Sequence, residues 1–87
     1  SNHSFWIDLL MSFVAGIHLE EDKIIVDPLQ LGLQWFTMRN VLIRGHRYAV
    51  SWAEKENIDA VPVGMKIMRD GETIFESDVI EKVEIVG

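Results

Sequence analysis

Cysteine is absent from the 87 residues, which removes disulfides, thiolate nucleophiles and Cys-based zinc sites together. Basic residues are few: eight Lys and Arg stand against fourteen Asp and Glu, a formal net charge of −6. Nucleic-acid binding needs clustered cations that displace counterions from phosphate. The nearest grouping, Arg39, Arg44 and Arg47, is diluted by apolar neighbours, so no nucleic-acid partner is expected. The three histidines, His3, His18 and His46, show neither His-x-His nor His-x-x-x-His spacing. Zinc sites draw three or four ligands at short recurring spacings; neither a metal nor any other cofactor is expected. Long apolar runs are missing too. The stretch from Phe5 covers about a dozen residues and is interrupted by Asp8, whereas a bilayer span needs about 20. With no basic residues leading into it, that stretch does not read as a signal peptide. Ser1-Asn2 reads as the remnant of a protease-cleavage site.

A catalytic constellation is lacking as well. Glycoside hydrolysis, for example, needs two carboxylates facing one bond, about 5–5.5 Å apart for retention or about 6.5–9.5 Å for inversion. Glu20-Glu21-Asp22 is a consecutive run whose side chains diverge, which reads as a solvated turn. Asp8 interrupts an apolar helix but has no partner carboxylate in view; near a helix N-terminus it is an ordinary surface or interface residue. Ser51, His46 and Asp59 supply the residue types of a nucleophilic triad, yet no nucleophile-elbow motif supports one. No catalytic residue is assigned, and the chain alone is not expected to be an enzyme.

Apolar side chains are what the sequence has in quantity, 48% of it. A chain of this size hides only about 60–65% of its unfolded surface. Either the core is dense or some apolar surface is meant for another body. Ser4 is a good N-cap for a helix from Phe5 to about Ala15, with Gly16 in the left-handed position after it. Asp8, Ser12 and Ala15 form its one polar or small stripe. Phe5, Trp6, Leu9, Leu10 and Phe13 help to cover the rest of the circumference, far more than the apolar arc of a surface helix. Such a helix reads either as a central core helix of this chain or, as the preferred expectation, as one lying between two bodies, docked on another domain or within a homodimer.

After Gly16 the texture becomes β. Strands are expected over Lys23–Val26, Trp35–Ile43, Tyr48–Trp52, Met65–Arg69, Glu72–Ser77 and Lys82–Val86. Gly45 turns the chain between the second and third. Asp70-Gly71 is a specific two-residue type I′ hairpin signal. The expected fold is mainly β: a small antiparallel β-sandwich of about six strands with one N-terminal α-helix, divided as 1–19 (helix, interface) and 20–87 (β domain). Tyr48, Val50 and Trp52 share one strand face and read as core. Trp35, at the start of its strand, is the aromatic expected to be exposed.

The pattern His3-Ser4, Phe5-Trp6-Ile7-Asp8-Leu9-Leu10, Ala15-Gly16-Ile17 resembles the last barrel helix of trehalase-like and mannosylglycerate-hydrolase-like glycoside hydrolases. Those enzymes pair an (α/α)6 six-hairpin barrel with a C-terminal all-β domain. The likeness continues through Ile25-Val26-Asp27-Pro28-Leu29, Trp35-Phe36, Asn40-Val41, Arg44-Gly45-His46, Trp52, Gly64-Met65 and Asp70-Gly71, so it covers nearly the whole chain. It departs at Ala53 with Glu54-Lys55-Glu56-Asn57, where the family tends to place an Asp and a Gly turn. It departs again at Val61-Pro62-Val63-Gly64, where an aromatic, glycine-rich segment is usual. The resemblance implies a non-catalytic accessory β domain that packs on and stabilises an (α/α)6 catalytic domain through the N-terminal helix. Trp35, Arg44 and His46 are the candidate sugar contacts. The alternatives are an independent carbohydrate-binding module, which would display a coplanar aromatic pair, and a small homo-oligomeric β domain.

Overall fold

A computed structural model describes residues 14–28 and 34–86. The expected N-terminal helix, and with it Phe5, Trp6, Leu9, Leu10 and Phe13, lies outside the described residues except for its last two positions. Those two, Val14 and Ala15, are buried. Gly16 follows with φ of 68°, the left-handed conformation expected there. The backbone passes so close that a Cβ on Gly16 would overlap the Asp27 carbonyl, and the Asp27 N–H donates to the Gly16 carbonyl at 3.0 Å.

The described residues are mainly β, in seven strands: β1 (Ile17–Leu19), β2 (Lys23–Val26), β3 (Trp35–Ile43), β4 (His46–Ala53), β5 (Gly64–Arg69), β6 (Glu72–Ser77) and β7 (Val83–Val86). They make two antiparallel sheets, one of order β1-β2-β7 and one of order β3-β4-β5-β6. The chain divides into two compact units along the same line, Ser1–Leu29 with Glu81–Gly87, and Gln30–Ile80.

In the first unit β2 is central. Ile24, Ile25 and Val26 are all buried, as the β-branched run Ile-Ile-Val favours for a strand covered on both faces. Strand β1 adds one element to the six expected, inside the segment assigned to the helical part. Ile-His-Leu is too short for alternation to register, and pairing with β2 is what holds it extended. Glu20-Glu21-Asp22 is therefore the exposed turn of a hairpin, closed by the Glu20 N–H donating to Lys23 O at 2.9 Å. Lys23 Nζ reaches Glu84 Oε1 on β7 at 2.9 Å, which lowers the Glu84 pKa and raises that of Lys23.

The second unit is a four-strand meander. Arg44-Gly45 joins β3 to β4, and Asp70-Gly71 joins β5 to β6. All four residues have positive φ (52°, 81°, 52° and 84°), as two-residue type I′ turns require. The register stacks Phe36, Trp52 and Met65 in one row and Met38, Val50, Ile67 and Phe75 in the next, all on one face. Met38, Val50, Met65 and Ile67 are fully buried there. The opposite face carries Thr37–Ser51–Lys66 and Ala49–Met68, partly open to solvent. Two bulges interrupt the pleat: Arg39 and Asn40 together oppose Ala49, and β6 gains a residue between the partners of Ile67 and Met68.

Candidate functional site

Sequence alternation places Arg47, Ala49 and Ser51 on the open face of β4, opposite Tyr48 and Val50. Pairing with β3 and β5 then sets Thr37 and Lys66 on either side of Ser51. These residues line a groove of about 380 Å³ in the second unit, together with Arg39, Met68 and Asp70. The bulge shapes its rim. With Asn40 at φ of 56°, a conformation asparagine tolerates better than most side chains, Arg39 and Asn40 both line the groove instead of alternating across the sheet. Arg39 Nε lies 3.4 Å from Thr37 Oγ1, so the guanidinium runs along the open face.

One end of the groove is built by Asp70. Its Oδ1 accepts the Arg47 backbone N–H at 2.9 Å, its Oδ2 meets His46 Nδ1 at 2.6 Å, and its own N–H donates to Arg47 O at 2.7 Å. The tip of the β5–β6 hairpin is thereby clasped to the start of β4. The Arg47 N–H and the His46 contact both stabilise the charged carboxylate and hold the Asp70 pKa below its ordinary value. The connection between β4 and β5 has its own stitch. Asn57 Oδ1 accepts the Val61 N–H, while Nδ2 donates to Val61 O, both at 2.9 Å.

Trp35 stands at the start of β3 and is 36% exposed. Arg44 lies in the turn at the far end of the same nine-residue strand, and His46 opens β4 beside it. At about 3.3 Å per residue, β3 holds Trp35 and Arg44 roughly 30 Å apart, so the three candidate sugar contacts do not meet in one site. Tyr48 is buried, Trp52 half-buried and Phe75 half-buried, all away from the face that carries Trp35. Among the described residues, no second exposed aromatic ring accompanies Trp35.

The carboxylates with a shifted pKa, Asp70 and Glu84, move down, whereas a general acid for glycoside cleavage needs an upward shift. Among the described residues no group of three or more His, Cys, Asp or Glu side chains is placed to hold a metal ion. No helix among them is long and apolar enough to cross a membrane. The Tyr48 hydroxyl is buried without a hydrogen-bond partner among the described residues.

Sequence reading groups Arg39 with Arg47 but discounts them as diluted by apolar neighbours, and it misses Lys66, which comes from a third strand. The signal for them is partial: strand period puts Arg47 and Ser51 on one face, but the cross-strand register brings in Lys66.

No family model matches the chain, and no curated protein matches it. A solved structure described as "Sialidase" is similar in fold, with a TM-score of 0.72 at 22% identity. The likeness covers 91% of this chain and 8% of that one, so the chain corresponds to a small part of a much larger protein. The chain is a small, mainly β unit with the fold of one segment of a sialidase chain.

Proposed function

We propose that this chain is a non-catalytic accessory β domain of a glycoside hydrolase, seated on an (α/α)6 catalytic barrel through the apolar segment 5–14. The observation that carries the accessory-domain part of this reading is the proportion of the structural likeness, 91% of this chain against 8% of a chain described as a sialidase; the (α/α)6 barrel rests on the sequence resemblance. A unit of that size suits a larger chain whose chemistry lies elsewhere. The apolar pattern of Phe5, Trp6, Leu9, Leu10 and Phe13 supports the same reading, because it exceeds the arc of a surface helix and would suit a barrel on one side and a β domain on the other. Within this reading, the segment ahead of β1 acts as the docking element, and β1 joins the β domain that is docked.

Two measurements test it. A panel of chromogenic glycosides, including sialosides and α-linked disaccharides, is expected to remain intact with the isolated chain; turnover abolished by a carboxylate substitution contradicts the proposal. Comparing the mass in solution of wild type with that of a Leu10→Glu, Phe13→Glu variant tests the docking element. The exposure of Trp35 favours a second reading, an independent carbohydrate-binding module. Titration with α-linked oligosaccharides separates the two: millimolar or tighter binding that Trp35→Ala removes supports the module.

A further inference from the structure

The groove on the open face of the β3–β4–β5 surface runs against the charge of the chain that carries it. The molecule has a formal net charge of −6, yet Arg39, Arg47 and Lys66 line this one groove, where Asp70 is the only carboxylate among the described residues. Asp70 is already engaged. Both its oxygens are held, one by the Arg47 backbone N–H and the other by His46. The side chains of Arg39, Arg47 and Lys66 make no ion pair among the described residues, although Glu76 is the cross-strand neighbour of Lys66. Three cations are therefore concentrated in a concave site that, among the described residues, holds one carboxylate, Asp70, itself bound to the Arg47 backbone and His46.

The rest of the lining is suited to something more than a bare ion. Thr37 and Ser51, directly paired across β3 and β4, supply hydroxyls that both donate and accept. Ala49 and Met68, paired across β4 and β5, supply an apolar strip beside them. The volume of about 380 Å³ falls within the range of small-molecule sites, about 300–1,000 Å³. A non-glycine residue at positive φ, Asn40, sits in the bulge that forms the rim.

We propose that this groove binds a carboxylate-bearing saccharide. The arginines take the carboxylate in the planar, bidentate geometry that guanidinium allows. Lys66 adds a point charge, Thr37 and Ser51 meet ring hydroxyls, and the Ala49–Met68 strip lies under the apolar face of the ring. The choice of a saccharide among organic anions rests on the accessory-domain reading above; the concentration of charge in the groove does not.

The test is an amide chemical-shift titration of the 87-residue chain with three probes: digalacturonate, its neutral counterpart galactobiose, and sodium sulfate. The expected result is that digalacturonate moves the amides of 37–39, 47–51 and 66–68 and that galactobiose at equal concentration does not. Affinity falls when salt rises from about 20 to about 200 mM, because exposed charges are screened. It falls at least about tenfold in an Arg39→Gln, Lys66→Gln variant, the loss of roughly one charge-assisted hydrogen bond. Arg47→Gln is the second variant; it keeps the backbone N–H that holds Asp70, so the hairpin clasp survives and unshifted distant amides verify the fold. Absence of shifts in the groove, equal binding of galactobiose, sulfate binding as tight as digalacturonate, or indifference to both variants overturns the proposal. Any of these leaves the accessory-domain reading standing, since that reading is tested through the mass of the chain in solution.

Discussion

Gly64 and Gly45 separate two costs that are usually confounded. Both have positive φ, 92° and 81°, so a side chain at either adopts a backbone conformation that L-residues avoid. At Gly45 a Cβ meets nothing within 4 Å, whereas at Gly64 it meets the Ser77 carbonyl oxygen at 2.6 Å. The conformational penalty of about 1–2 kcal/mol is partly offset by the reduced freedom of the unfolded chain, about 0.4–1 kcal/mol. Gly45→Ala should therefore cost about 1 kcal/mol, a drop in Tm of about 4–8 °C for a domain of this size. Gly64→Ala carries the same term plus a collision with backbone. Ser77 pairs with Met65 at the end of the β5–β6 ladder, so its carbonyl gives way only if that pairing opens. Losing one or two backbone hydrogen bonds adds about 1–2 kcal/mol, for a total of about 2–3 kcal/mol and a Tm lower by roughly 10–20 °C. Thermal melts followed by far-UV circular dichroism measure both. Equal Tm drops for the two variants would refute the close approach of β5 and β6 at Gly64.

Three further outcomes follow from single contacts. Tyr48→Phe should raise stability by up to about 1 kcal/mol, because the buried hydroxyl it removes has no partner among the described residues; a urea midpoint that falls instead means the hydroxyl is bonded. Asn57→Ala should cost about 1–2 kcal/mol, since both side-chain bonds to Val61 are lost; an unchanged urea midpoint would mean that this stitch adds nothing to stability. The depressed Asp70 pKa means that its contribution is present above the ordinary value of 3.8 and is lost as pH falls through the lower folded value. Asp70→Asn should be less stable than wild type in urea titrations at about pH 7 and converge on it near pH 2, while the Glu84–Lys23 pair, with its own depressed carboxylate pKa, still titrates in both proteins. A gap that persists undiminished at low pH would show that the clasp does not depend on the carboxylate charge.

The β framework is legible in the sequence wherever local chemistry and periodicity agree. Asp70-Gly71 and Arg44-Gly45 each occupy a two-residue turn, and the strands before them, Trp35–Ile43 and Gly64–Arg69, end where the turn residues begin. Tyr48 and Val50 are buried as their alternation implies, whereas Trp52 on the same face is only half-covered. Strand β1 was hidden because three residues cannot display a period of two, and only its partner β2 makes it a strand. The groove was hidden for a different reason. At Arg39-Asn40 the bulge breaks the alternation that would have sent one of the two to the buried face. The link from Asp70 to Arg47 spans 23 positions, a separation at which local propensity is silent. Register and bulges are long-range products of pairing, and the candidate site is built largely from them.

The central claim is that this chain is a docked accessory unit, with residues 5–14 as its docking surface, and it is tested most directly by multi-angle light scattering of the isolated chain over a range of concentrations. Wild type is expected to show a mass that rises with concentration as the apolar surface seeks cover. The Leu10→Glu, Phe13→Glu variant should stay at the monomer mass with its β-sheet spectrum intact. A wild-type chain that remains a compact monomer throughout, with the double variant unfolded because both side chains were buried in its own core, would contradict the account.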